Sequence, residues 1–172
     1  MSDTLMAIVG IVLAVITMFI FPLMQVGGTT DELSQTITQV AVANFVNRVS
    51  AQGKITEFDY NTLITDLYST GNSYEIQMEV KILDDNARRV SLAQEKSELG
   101  EYKYYSVYTN EILSKIESDK EYILKNDDYI IVTVKNTNIT LGTQFKNFLY
   151  KMIGKEAYTI GASATGLVLN SG

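Results

Sequence analysis

The stretch Tyr74 to Leu83, YEIQMEVKIL, decides the fold of this chain. Tyr74, Ile76, Met78, Val80 and Ile82 alternate with Glu75, Gln77, Glu79 and Lys81. A strict period of two is the pattern of a strand with one buried and one wet face. Downstream, DYIIVTVKN (128–136) is a second strand, rich in β-branched residues. AYTIGASATGLVLN (157–170) reads as a third, in which Gly161 and Gly166 mark bulges or close packing. YKYYSVY (102–108) is a less regular candidate for a fourth.

Helical signals separate these strands. Thr56 and Asp59 offer a cap for a short helix carrying Leu63, Ile64, Leu67 and Tyr68, with Gly71 as its stop. Residues 110–124 read as a helix with Ile112, Leu113, Ile116 and Ile123 facing inward. LGTQFKNFLYKMIG (141–154) is a helix whose Phe145, Phe148, Leu149 and Met152 share a face. Residues 84–101 are polar and without period, which predicts a surface loop. The order predicts an α+β head, with three to four antiparallel strands packed on helices.

Upstream of the head, Thr29 and Glu32 read as a capping box opening an amphipathic helix that ends near Gly53. Leu33, Ile37, Val40, Ala41, Phe45 and Val49 form its apolar stripe. Before that helix lies MSDTLMAIVGIVLAVITMFIFPLMQVGG, which has no charge from Leu5 to Val26, 22 residues. As one helix those residues span roughly 33 Å, against a hydrocarbon core of about 30 Å. A signal peptide fits poorly, because its apolar region is about 7–15 residues and follows basic ones, whereas the first basic residue here is Arg48. The chain therefore divides into residues 1–28, an apolar transmembrane or assembly helix, and 29–172, an amphipathic helix with its head domain. The charge pattern favours an external head. Pro22 costs about 3 kcal/mol in an ordinary helix interior. It reads either as a tolerated kink or as a built-in soft point, with Gly27 and Gly28 as further hinge candidates.

Composition narrows the chemistry. The chain of 172 residues carries a net charge of −6 and has no Cys or His. Phosphate binding needs clustered Lys and Arg, so nucleic acid is not expected as a partner. Thiolate and imidazole chemistry are excluded, including disulfides, Cys-rich zinc sites and Ser-His-Asp triads. The acidic clusters Asp84-Asp85-Asn86, Asp127-Asp128 and Asp31-Glu32 lack calcium-loop spacing, and the first two, which flank predicted strands, read as solvated turns. No cofactor and no enzymatic role are expected. Tyr102, Tyr104, Tyr105 and Tyr108 admit two readings, sheet packing or a subunit contact patch.

An apolar N-terminal helix with a proline some twenty residues in, an amphipathic continuation and a small α+β head resemble a type IV pilin. The resemblance rests on MAIVGIVLAVITMFIFPLMQ. FVNRVSAQGKIT and VKNTN are also similar to membrane-anchored proteins associated with Tad-type pili. The resemblance implies a filament subunit, stored in the membrane with its head outside and then handed by assembly machinery into a helical polymer of copies of itself on the cell surface. Leu5, Ile8, Val9, Ile11, Val12, Val15, Ile16, Phe19, Ile20 and Leu23 would be the assembly surface, and the helix would melt locally near Pro22. The family's glutamate at the fifth position is Leu5 here, which leaves Asp3 for N-terminal charge pairing. The alternative is a monomeric, membrane-anchored accessory or minor component of a pilus or secretion machine.

Overall fold

The computed structural model describes residues 2–83, 104–154 and 156–169. Their order is α1 (Ser2–Val15), a π-helical turn (Ile16–Ile20), α2 (Phe21–Gln52), β1 (Lys54–Thr56), α3 (Glu57–Tyr68) and β2 (Tyr74–Leu83). Then follow β3 (Tyr104–Tyr108), α4 (Thr109–Asp119), β4 (Glu121–Ile123), β5 (Tyr129–Asn136), α5 (Leu141–Met152) and β6 (Gly161–Leu167). The fold is α+β with two antiparallel sheets, one of order β3-β2-β5-β6 and one pairing β1 with β4.

The alternation in β2 sets the large sheet. Met78 and Val80 are buried and pair across to Val132 and Ile130 of β5, so one face of both central strands is apolar. Helix α2 lies across β5 and β6 and closes that face with Val42, Phe45, Val46 and Val49. Gly166 permits this approach, since a Cβ there would collide with Ser50 and Val46 of α2. Gly161 likewise passes close to the Val134 carbonyl. Both glycines serve close packing.

Gly53, at φ +68°, ends α2. Thr56 and Asp59 form the expected capping box of α3: the Asp59 amide donates to Thr56 Oγ1, and the Thr56 amide to the Asp59 carboxylate. Arg48 approaches the buried Asp59 at 3.4 Å.

Four expectations need correction. Helix 110–124 stops at Asp119, because Lys120 turns left-handed at φ 68°. Glu121–Ile123 then pairs with Lys54–Thr56, and Ile123 stands exposed rather than inward. No helix begins at Thr29, whose hydroxyl donates back to the Gln25 carbonyl inside α2. The apolar stripe of α2 also turns over along its length. Asp31, Ser34 and Thr38 are buried against the head, while Leu33 and Val40 face outward. Finally, residues 2–26 are not one regular helix. Helical backbone runs on from α1 into α2, but α geometry stops at Val15 and resumes at Phe21. Among the described residues no α-helix is long and apolar enough to cross a membrane.

Candidate assembly surface

Among the described residues no element covers the charge-free stretch. Leu5, Ile8, Val9, Ile11, Val12, Val15, Ile16 and Phe19 are all exposed, from 43% at Ile16 to 66% at Leu5. The side chains of Ile20 and Leu23 lie outside the description. With Met6, Leu13, Met18, Phe21 and Val26 these residues form an apolar surface on the order of 1,000 Å², well beyond the few hundred Å² usual for a monomer. Covering it is worth about 25 kcal/mol of hydrophobic free energy before the costs of association.

The π turn sits where Pro22 needs it. Proline at position 22 has no N–H, and in an α-helix its ring would press on the Met18 carbonyl. Widening the turn relieves that contact: the Phe21 amide donates to the Ile16 carbonyl, one residue further back than in an α-helix. Thr17 adds a back-bond from its hydroxyl to the Leu13 carbonyl at 2.8 Å, a contact that favours bending. The irregularity therefore lies just before Pro22. Gly27 and Gly28 both lie within α2.

Beyond Val26 the exposed apolar line continues. Val26, Leu33 and Val40 are seven residues apart on α2 and are 66%, 60% and 52% exposed, with Ile37 half-buried between them. Seven residues are nearly two helical turns, so these side chains share one face. On the opposite side, polar residues dock the helix. Thr140 and Thr143 donate hydroxyl hydrogen bonds to the buried Asp31 carboxylate, at 2.8 and 3.1 Å. Thr38 bonds the Ser34 carbonyl and the Tyr74 hydroxyl, and Gln35 exchanges hydrogen bonds with the Gly161 backbone. Asp31 is therefore a buried docking group.

Helix α5 is held to α2 at the level of Gly27. A Cβ on Gly142 would lie 2.6 Å from the Gly27 carbonyl oxygen and 2.5 Å from Asp31 Oδ2, so only glycine fits there. The Thr143 amide donates to Thr140 Oγ1, which caps the helix. Lys146 reaches Glu32 at 3.6 Å and stacks 4.7 Å over the Tyr158 ring. Burial first, then the nearby Asp31, Glu32 and Tyr150, raise the Tyr158 phenol above its ordinary pKa.

The other expected residues fall elsewhere. Asp3 stands exposed in the first turn of α1. Tyr104, Tyr105 and Tyr108 are exposed on edge strand β3, where Tyr104 meets Tyr129 edge-on at 5.6 Å; Tyr102 lies outside the described residues. So do Asp84, Asp85 and Asn86. Asp127 takes a left-handed turn conformation at φ 68°, but Asp128 is buried rather than solvated and accepts from the Lys125 amide. Among the described residues no group of three Asp or Glu could hold a metal ion. A cleft of about 210 Å³ between α3 and the sheet is lined by Tyr60, Leu67, Tyr74 and Leu113. No protein-family model, curated protein or solved structure matches the chain.

Proposed function

We propose that this protein is a pilin-like structural subunit, held in a membrane by residues 5–26 and then polymerised through the same surface into an extracellular filament. One observation carries the reading over that of a monomeric anchor. The apolar line does not end where a bilayer would stop covering it. Val40 lies roughly 21 Å beyond Val26 along the helix axis, on the rise of an α-helix. Lipid tails covering Leu5 to Val26 would leave Leu33 and Val40 in water, whereas a neighbouring helix running alongside would cover both.

The helical segments need not be one α-helix for this role. Contiguous helical backbone keeps its peptide groups bonded through a π turn, which is what a lipid-facing segment requires. The reading contains no catalytic step and no cofactor. Its partners are copies of the same chain, the membrane before assembly, and the machinery that moves a subunit from one to the other.

The chain has no cysteine, so Leu33→Cys is a unique thiol. A water-soluble maleimide should label it readily in detergent-dispersed protein and much more slowly in assembled material. Phe58→Cys, on the exposed face of α3, should label equally in both. Equal labelling of Leu33→Cys in the two states would favour the monomeric anchor.

A further inference from the structure

Helix α5 leaves large apolar side chains uncovered. Among its described side chains, Gly142 and Thr143 are buried, and Asn147 bonds the Tyr158 backbone. Its outer face carries Phe148 and Met152, which are 60% and 71% exposed, and Ile153 follows at 64%. No described element of the chain covers these three side chains.

Two observations identify the cover. The first is level. Gly142 touches Gly27, the residue after the charge-free stretch, and Lys146 reaches Glu32. If Leu5 to Val26 fill the hydrocarbon core, then residues 27–32 cross the headgroup layer, which is about 5–7 Å deep on each side of a bilayer. The second is charge. Helix α5 has two lysines, Lys146 and Lys151, and no acidic residue. By contrast α2, α3 and α4 each carry more acidic than basic residues, in a chain of net charge −6. An apolar outer face, the exposed Lys151, Tyr150 within the helix and the nearby Tyr158 are the composition of a helix lying in a membrane interface.

We infer that α5 is an interfacial helix, which seats the head on an anionic lipid surface before assembly by burying Phe148, Met152 and Ile153 at the headgroup boundary. The inference rests on the membrane residence proposed above for residues 5–26. It adds a second, reversible contact, so that leaving the membrane requires α5 to release its lipids as well as α1 and the start of α2.

The test uses the full chain in vesicles of phosphatidylcholine and phosphatidylglycerol with brominated acyl chains. Because the protein has no Trp, Ile11→Trp, Phe148→Trp and Phe58→Trp each give a sole fluorophore. Ile11→Trp and Phe148→Trp should both be blue-shifted and quenched, the latter most by bromines near the headgroup. Phe58→Trp, on α3 at the far end of α2, should stay red and unquenched. Quenching of Phe148→Trp should also weaken when phosphatidylglycerol is replaced by phosphatidylcholine; equal quenching in both would overturn the assignment to anionic lipid. A quenched Ile11→Trp beside an unquenched Phe148→Trp overturns the inference alone. If that Phe148→Trp is nonetheless blue-shifted, a second copy covers α5 instead. Loss of quenching at Ile11→Trp as well would remove the membrane reading itself, and the inference with it.

Discussion

Pro22 acts through its missing hydrogen and through the carbonyl it would crowd. The π turn over Ile16–Ile20 shifts one backbone bond back by a residue and so spares that contact. In Pro22→Ala the amide at 22 regains its α-helical acceptor, and the penalty of about 3 kcal/mol for proline disappears. The variant should be more helical, with α geometry continuous through residue 20. Residues before Val15 would then be rotated relative to the face of α2 that carries Val26, Leu33 and Val40. Circular dichroism in detergent, together with amide chemical shifts for residues 16–22, would register the change. An unchanged π turn in Pro22→Ala would assign it to Thr17 or the local sequence instead.

Tyr122 makes a residue-scale prediction about pH. Burial first, then Glu111, Asp128 and Tyr105, push its phenol up to about 12. In the unfolded chain a tyrosine titrates near 10, on the order of two units lower. The folded state thus favours the neutral phenol, so its contribution is fully present below pH ~10 and is lost as pH rises towards ~12. Allowing for solvent screening, roughly 1–2 kcal/mol should go in that window. Tyr122→Phe should flatten the fall in stability there, as followed by urea unfolding at a series of alkaline pH values. An unaltered alkaline limb would assign the loss to other groups.

At the scale of elements, the sequence is clear where one period dominates and silent where two compete. The strict alternation of β2, the β-branched run of β5 and the Thr56–Asp59 cap each admit one local solution, and the structure has all three. Helix α2 admits two. Leu33, Ile37 and Val40 lie on one face, and Ser34, Thr38 and Asp31 on another, both at helical spacing. Hydrophobicity alone turns the first inward. What reverses it is the set of hydrogen bonds with Thr140, Thr143, Tyr74 and Gly161, residues far along the chain that no local pattern reveals. The small β1–β4 pair escaped for a different reason: three residues per strand are too few to show a period.

The contact between α2 and α5 makes an element-scale prediction that separates two neighbouring glycines. Gly142→Ala places a methyl group against backbone at Gly27 and against Asp31, and should loosen α5 at a cost of about 1–3 kcal/mol. Gly27→Ala meets Gly142 at no closer than 3.4 Å and should be tolerated. Hydrogen exchange of the α5 amides in the detergent-solubilised chain would show faster exchange for Gly142→Ala only. Similar exchange in the two variants would mean that α5 is not held at this point.

On the scale of the whole molecule, an α+β fold is joined to a helical segment whose apolar surface no other described element covers. The apolar line runs from α1 through the π turn and along the outer face of α2. On the proposed reading, its first part meets lipid and then neighbouring helices, and its continuation through Leu33 and Val40 meets neighbours. That continuation was legible in the sequence as an apolar stripe, but not as one that turns over along the helix.

Electron microscopy of the full chain after removal of detergent is therefore the most direct measurement. It should be made on the unaltered protein and on the double variant Leu33→Glu/Val40→Glu, whose two new charges lie outside both the head core and residues 5–26. The account predicts filaments from the unaltered chain. From the double variant it predicts none, with head folding by circular dichroism preserved. Filaments of equal abundance from both, or dispersed subunits from both, would contradict it.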